Sequence, residues 1–468
     1  MPVEPLLPRQ LDRRSKHRGE YWVQEAPGVR FGGTLRFENG RPHLVLREPL
    51  EGGAVSDFLV TETLQGELHD GTPVTLWRKS ALSRPLDWSK RWRRHHLMFD
   101  WALIGTHEDD IEEARFAFWG VVFQSLAPWS QIAEPLPPET EESKRPQHAP
   151  ARVSMDGHDL TFWLRDPERR SSSEAPQSEW GGHRTHFLVD VHPPAEPKYL
   201  DVISFDLQAR MTFSYQRAAR VTAEFCAHEG DSTMIEIIRE LPVGAKERST
   251  NRDEMVLTPA GLPFDRLIEA WWPAVGNIYP VTQVLSKEFY FKGGFIEASA
   301  SAAVAATERM HEQVGRTKAF GFPSGFLKAK RKRLRDTFTE EKDAAYLEYL
   351  LSCRGPVRPT LEVKLTELAC ALGDDVFDAV GVAAKDWISS VKTPRNNLAH
   401  TGSHVLQRGT DASDDLRRVD AHTRAFLTLV VLQYMGLPKS RLLEAADNLR
   451  QLGTLRLNEY GINWAVPD

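Results

Sequence analysis

The pattern of apolar and polar positions changes character along the chain. In the first half, short runs rich in β-branched and aromatic residues are punctuated by tight-turn dipeptides. Thr34-Leu35-Arg36-Phe37 and His43-Leu44-Val45-Leu46 flank Asn39-Gly40. Leu64 to Leu68 and Val74 to Trp77 flank Asp70-Gly71, and Asp156-Gly157 precedes Leu160-Thr161-Phe162-Trp163. Asn-Gly and Asp-Gly supply the positive φ angles that two-residue hairpin turns require, so each site predicts a β-hairpin. Further strand-like runs are Phe116–Phe123, Phe187–Val191 and Val221–Phe225.

From about residue 261 apolar residues recur at three and four, the period of an amphipathic helix. Helices are predicted from Phe264 through Trp272, from Phe295 to Val314, and around Ala345–Leu351. Thr360 is placed to cap a helix holding Leu361, Leu365, Leu368 and Leu372, and Asp374 to cap the next. Leu416–Met435 and Ser440–Leu452 complete the set. The expected fold class is α+β multidomain. A β-rich sensor or regulatory domain covers 1–260, a helical connector 261–294, and an all-α bundle 295–468.

Three polar segments interrupt the β-rich part. Residues 1 to about 20, with Arg13, Arg14, Lys16 and Arg18, read as a mobile lead-in. Residues 134–146 and 165–182 are charge-rich loops too polar to bury. Nine of the thirteen tryptophans lie before residue 181. Trp77, Trp119 and Trp163 sit inside strand-like runs, which favours a core role over a stacking platform for bases.

Composition narrows the function classes. A net charge of −6 argues against a bulk polycation that coats nucleic acid but leaves room for a local basic face. Cys226, Cys353 and Cys370 are odd in number and far apart, which suits a reducing cytoplasm better than a disulfide framework or a zinc knuckle. The start lacks a basic and apolar leader, and no apolar run is long enough for a membrane span. Phosphate-loop, dinucleotide-fold and hydrolase-elbow patterns are not found.

The stretch with chemistry in it is Pro394-Arg395-Asn396-Asn397-Leu398-Ala399-His400-Thr401-Gly402. A guanidinium fork fits phosphate oxygens. Imidazole gives or takes a proton near neutral pH, and the Asn396 amide can orient either partner. Arg and His at this spacing also occur as Arg91/His96 and Arg417/His422, but only Arg395 is followed by Asn, after the apolar positions Trp387, Ile388 and Val391. The other two pairs read as chance. Thr393 and Pro394 read as the N-cap and first position of a helix carrying the trio. Arg395 and His400 would then be about 140° apart around its axis, while Asn396 and His400 share a face. A compact site therefore needs two copies face to face, and a homodimer is expected. His400 and His404 are four apart, but Gly402 intervenes and no third ligand is evident, so no metal is expected.

A second candidate is the basic run Lys328, Lys330, Arg331, Lys332, Arg333 and Arg335, behind Phe320, Phe322 and Phe326. Clustered cations neutralise phosphates and exposed rings stack on unpaired bases, so the run is a candidate RNA-binding segment; a solvated face reads equally well. Arg91-Trp92-Arg93-Arg94-His95-His96 is a smaller patch of the same kind, more readily read as surface.

Arg395-Asn396-x-x-x-His400 resembles the R-(polar)-x-x-x-H signature of HEPN domains, all-α modules many of which are metal-independent ribonucleases. Gly19-Glu20-Tyr21-Trp22 through Gly32-Gly33-Thr34-Leu35, with the overall layout, resembles the front part of ApeA-like anti-phage proteins. The resemblance implies a prokaryotic, cytoplasmic defence ribonuclease that acts by abortive infection. It would have a dimeric site of Arg395, Asn396 and His400, no cofactor, RNA (tRNA among the candidates) as substrate, and a phage-derived trigger at the front domain. The rival reading is a non-catalytic HEPN module that dimerises or binds a nucleotide behind a ligand-sensing β domain.

Overall fold

The computed structural model describes residues 11–38, 40–46, 62–78, 96–123, 150–165, 186–240, 255–257, 263–287, 289–290, 295–316, 332–333, 336, 359–401 and 412–465, with backbone alone at 96, 165, 393–401 and 412. The chain divides into two compact units, Met1–Pro273 with Ser286–Lys292 and Ala274–Leu285 with Gly293–Asp468. Residues 261–294 are thus shared between the two units.

The first unit is built on one antiparallel sheet. Its strands are β1 (His17–Val23), β2 (Phe31–Glu38), β3 (Arg41–Leu46), β4 (Thr63–Leu68), β5 (Pro73–Trp77), β6 (His96–Met98), β7 (Trp101–Ile104), β8 (Phe116–Phe123), β9 (Ala151–Met155), β10 (His158–Arg165), β11 (His186–Ala195), β12 (Val221–Ala227) and β13 (Ile235–Arg239). The order is β6-β3-β2-β1-β4-β5-β7-β13-β12-β8-β11-β10-β9. The three expected hairpins form, pairing β2 with β3, β4 with β5 and β9 with β10. At the last turn Asp156 and Gly157 both take positive φ, 50° and 85°. Of the early tryptophans, Trp22, Trp77, Trp101 and Trp119 are buried and Trp163 packs at the margin of a core cluster. Trp88, Trp92, Trp129 and Trp180 lie outside the described residues, as do the two charge-rich loops apart from Arg165, which ends β10.

The buried Tyr21 ring on β1 is seated on glycines of both neighbouring strands. A Cβ at Gly66 on β4 would lie 2.4 Å from the Tyr21 Cδ1, and one at Gly33 on β2 would lie 3.0 Å from its Cδ2. Missing side chains here make the space that the ring fills.

The lead-in expectation fails from residue 11 onward. The Leu11 N–H and the Arg13 guanidinium donate to Glu236 at 2.8 and 3.1 Å, and β1 begins at His17. Glu236 is 1% exposed on β13, and burial outweighs Arg13 and the Leu11 amide in holding its carboxyl above the usual range. A buried carboxylate needs donors, and the first described residues supply them.

Helix α1 (Pro197–Tyr215) belongs to the same unit and has no counterpart in the sequence reading. Residues 203–215 alternate apolar and polar without a break, yet they are helical and all but Phe205 are buried. Several of the polar members find partners on the surrounding elements. Trp119 Nε1–H donates to Ser204 Oγ at 2.7 Å, and Gln208 donates to the Ala219 carbonyl at 2.9 Å. The Thr212 hydroxyl meets that of Tyr290, and Arg210 lies over the Phe187 and Phe264 rings. The start of α2 (Phe264–Ile278) closes this core: Phe264 stacks on Phe187, Trp271 meets Phe213, and Trp272 meets Phe162.

The second unit is helical. Beyond the end of α2 it contains α3 (Val281–Lys287), of which the last two residues belong to the first unit, α4 (Ile296–Val314), α5 (Leu361–Leu372), α6 (Asp374–Val380), α7 (Ala384–Thr401), α8 (Ala412–Tyr434) and α9 (Lys439–Asn458). Thr360 caps α5 as expected, accepting from the Val363 N–H at 3.3 Å. Gly373, with φ of 88°, stands at the N-cap of α6, and Asp374 is its first helical residue rather than its cap. The expected helix around Ala345–Leu351 lies outside the described residues. Inside the unit, Arg424 on α8 donates to Asp420, to the Val284 carbonyl and to Ser299 Oγ on α4.

Gly66→Ala is expected to lower the thermal unfolding midpoint of the sheet unit, with about 1–3 kcal/mol of overpacking against Tyr21. Differential scanning calorimetry beside Gly71→Ala, whose site is sterically open but has φ of 83°, separates crowding from backbone strain. The idea fails if Gly66→Ala with Tyr21→Leu is no more stable than Gly66→Ala alone.

Candidate functional site

All three residues of the expected catalytic trio fall on α7. The helix does not begin at Thr393-Pro394 as the sequence suggested. It begins at Ala384 and carries Pro394 in its interior. A proline there removes one backbone hydrogen bond and crowds the preceding turn, at roughly 3 kcal/mol. The local Thr-Pro signal is overridden by packing on the preceding turns. The Trp387 ring, 1% exposed, meets Phe426 of α8 at 5.0 Å and Phe377 of α6 at 5.9 Å, and its Nε1–H reaches Thr423 Oγ1 at 3.5 Å. Val391, one turn later, is fully buried.

This stripe sets the register of the helix. At about 100° per residue, position 395 falls about 40° from Val391, position 396 about 140° and position 400 about 180°. Arg395 and His400 therefore occupy different stripes of one helix, while Asn396 and His400 share one. One turn before Asn396, Lys392 of α7 pairs with Glu362 of α5 at 2.5 Å. Acids stand in the first turns of the helices of this region: Glu362 on α5, Asp374 and Asp375 on α6, Asp386 on α7, and Asp414 and Asp415 on α8.

Of the basic run, Lys332 and Arg333 are helical and exposed. Lys328, Lys330, Arg331 and Arg335 lie outside the described residues, as does most of the Arg91–His96 patch. His404 lies outside them too. Among the described residues no group of three or more His, Cys, Asp or Glu side chains is arranged to hold a metal ion. Among them also, no helix is long and apolar enough to cross a membrane.

The Arg417/His422 pair, read as chance, has a structural role. His422 on α8 is fully buried, edge-on to the Trp464 ring at 4.5 Å. Its Nε2–H donates to the Trp464 carbonyl at 2.8 Å, which leaves Nδ1 as a buried lone pair without a hydrogen-bond partner. Trp464 in turn donates its indole N–H to the Val380 carbonyl at 2.9 Å and rests on Gly453, where a Cβ would come within 2.0 Å of the ring. Arg417 stacks on Tyr460. Burial, with the charge of Arg418 adding to it, pushes the His422 pKa down to about 4 against the opposing pull of the Trp464 carbonyl.

The sequence reading missed a second histidine cluster, in the sheet unit. His228 touches Glu108, which is far away in sequence, and only strand pairing brings them together. No spacing rule could have found it.

The chain matches no protein-family model, no curated protein and no solved structure.

The His422 geometry fixes a direction for acid stability. The folded pKa lies below the unfolded value of ~6.5, so the contribution is complete above that value and is lost as pH falls towards 4. Over that window the helical unit should lose roughly 3 kcal/mol. Urea unfolding followed between those pH values is expected to show the slope in the wild type and a flatter one in His422→Phe. Equal slopes would remove His422 from the account.

Proposed function

We propose that the helical unit is a HEPN-type, metal-independent endoribonuclease whose catalytic set is Arg395, Asn396 and His400, acting in anti-phage defence by abortive infection. The observation that carries this reading is that Arg395-Asn396-x-x-x-His400 lies wholly within one continuous helix of a unit whose described elements are all helices, downstream of the buried Trp387–Val391 stripe. The motif is thereby held on a rigid element, as a site needs to be. A large antiparallel sheet precedes it, which suits a sensing part ahead of an effector.

The chemistry follows from the substrate. RNA carries its own nucleophile, the 2′-OH beside the scissile phosphate. Cleavage then needs a base for that hydroxyl, an acid for the departing 5′-oxygen, and donors for the charge on the phosphorane. His400 takes the base or acid role, and His400 of a second copy takes the other. Arg395 clamps the phosphate and Asn396 orients the reacting groups. The separation of Arg395 and His400 around α7 is what calls for the second copy. Lys332 and Arg333, exposed and cationic, suit contacts to the RNA backbone.

Purified protein incubated with total cellular RNA, tRNA included, is expected to yield fragments ending in 2′,3′-cyclic phosphate and 5′-OH, with undiminished turnover in EDTA. His400→Ala should remain folded and lose roughly 10²–10⁴-fold in rate, the range for a general acid or base. Arg395→Ala should lose roughly 10²–10³-fold, the range for a charge-stabilising donor. Overexpression of the wild type should arrest growth, and both variants should relieve it. A wild type neither toxic on overexpression nor able to cut RNA would leave a dimerising or nucleotide-binding module in its place.

A further inference from the structure

At one end of the sheet, the segment joining β7 to β8, residues 105–115, lies against the turn joining β12 to β13. Side chains fasten this segment to the sheet at several points. Thr75 Oγ1 accepts from the Glu108 N–H at 2.8 Å, Gln65 donates to the Asp109 carboxylate at 3.0 Å, and His107 Nε2 meets the Gly66 carbonyl at 2.8 Å. The link to the β12–β13 turn is His228. Its Nε2 lies 2.8 Å from Glu108 Oε1 and its Nδ1 lies 2.9 Å from the Arg115 carbonyl. Its ring packs on Phe116 at 4.7 Å, and its own backbone N–H donates to Asp231 at 3.0 Å.

Both ring nitrogens therefore face oxygens that can only accept, a carboxylate and a backbone carbonyl. A neutral imidazole has one N–H and one lone pair. In either tautomer it would turn a lone pair towards one of those oxygens. Only the imidazolium donates to both. We propose that His228 is a pH-dependent clasp: protonated, it ties residues 105–115 to the β12–β13 turn, and neutral, it releases them.

The charges facing the ring favour the closed form. Glu108 comes from the β7–β8 segment and Asp231 from the β12–β13 turn, and Glu229 follows His228 directly. The Arg115 guanidinium is turned to the carbonyls of its own segment, at Glu112, Glu113 and Ala114. The Cys226 thiol is buried, and burial first, then Glu108, Asp231 and Glu224, keep its pKa high and the group uncharged. The hydrogen bond to Glu108 is the main cause that raises the His228 pKa, and partial burial opposes it. For a raised folded value, the stabilisation is complete below ~6.5 and disappears as pH rises through the folded pKa. The clasp thus opens on the alkaline side, and it is independent of the ribonuclease reading.

The test is an NMR titration of the histidine rings in the full-length chain, with amide exchange of residues 106–115 measured at pH 6 and pH 9 and corrected for intrinsic rates. The expected result is a His228 midpoint above ~6.5 with both ring N–H protons present at low pH, and protection of 106–115 that falls at least several-fold at pH 9. Glu108→Gln should lower the midpoint and flatten the pH dependence of protection, which loss of packing alone would not do. A wild-type midpoint at or below that of a free histidine, or protection that does not change with pH, overturns the proposal whatever the variant does.

Discussion

Trp387 is the side chain through which α7 is fixed to the bundle. It closes a three-ring cluster with Phe377 and Phe426, which stack on each other at 4.3 Å. Burying each such ring is worth roughly 1.5–3 kcal/mol. The cluster and Val391 together outweigh the penalty of a proline inside the helix, so α7 runs on through Pro394 where an isolated peptide would stop. A helix anchored along one stripe has its rotation settled along its whole length. The positions of Arg395, Asn396 and His400 around the axis are therefore consequences of Trp387 and Val391, which carry no chemistry themselves.

How much of this was legible in the sequence depended on whether the deciding interaction was local. The hairpins were legible because a turn is decided by two residues, such as Asp156 and Gly157, whose backbone angles few other pairs tolerate. Thr360 was legible as a cap because its hydroxyl meets an amide three residues on. Asp374 misled because Gly373, taking a backbone angle hard for other residues, already ends α5 and opens α6. Helix α1 was illegible for a deeper reason. Its alternation from Ile203 to Tyr215 is a strand pattern, but period two means a strand only when one face is wet. Here nearly every direction is buried, and Ser204, Gln208 and Thr212 find partners on β8, on the chain before β12 and at Tyr290. With no wet face to select the period, helix formers such as Leu207, Gln208, Ala209, Arg210 and Met211 decide the backbone. The Arg/His motif was legible as a pattern on a helix, whereas the helix boundaries were not, because Trp387 acts through residues on α6 and α8.

Buried charge organises the sheet unit in the same non-local way. Arg239 on β13 grips Glu224 on the adjacent β12 through two hydrogen bonds, at 2.6 and 2.8 Å, and also pairs with Asp201 on α1, with its guanidinium over the Trp101 ring. Glu224 and Glu236 are each 1% exposed, and each has an arginine. Removing one partner of a buried pair is far more damaging than replacing both. This asymmetry accounts for the order seen at Leu11 and Arg13. That segment looks like a free basic tail by composition, but it supplies the donors that Glu236 would otherwise lack.

The same logic bears on the site helix. On the ribonuclease reading, a scissile phosphate must meet a clamp and a proton carrier within hydrogen-bond reach at once. One α7 offers them on stripes about 140° apart, and a helix surface is about 10 Å across, so a single copy spreads the two functions around its own cylinder. Lengthening a side chain does not cure this, because position 395 stands about 40° from the buried Val391 stripe while position 400 stands opposite it. A two-fold axis does cure it, by setting the His400 stripe of one copy beside the Arg395 stripe of another. Assembly would then be a condition of catalysis rather than an addition to it, and any cue that alters pairing of the copies would act as a switch without touching a catalytic residue.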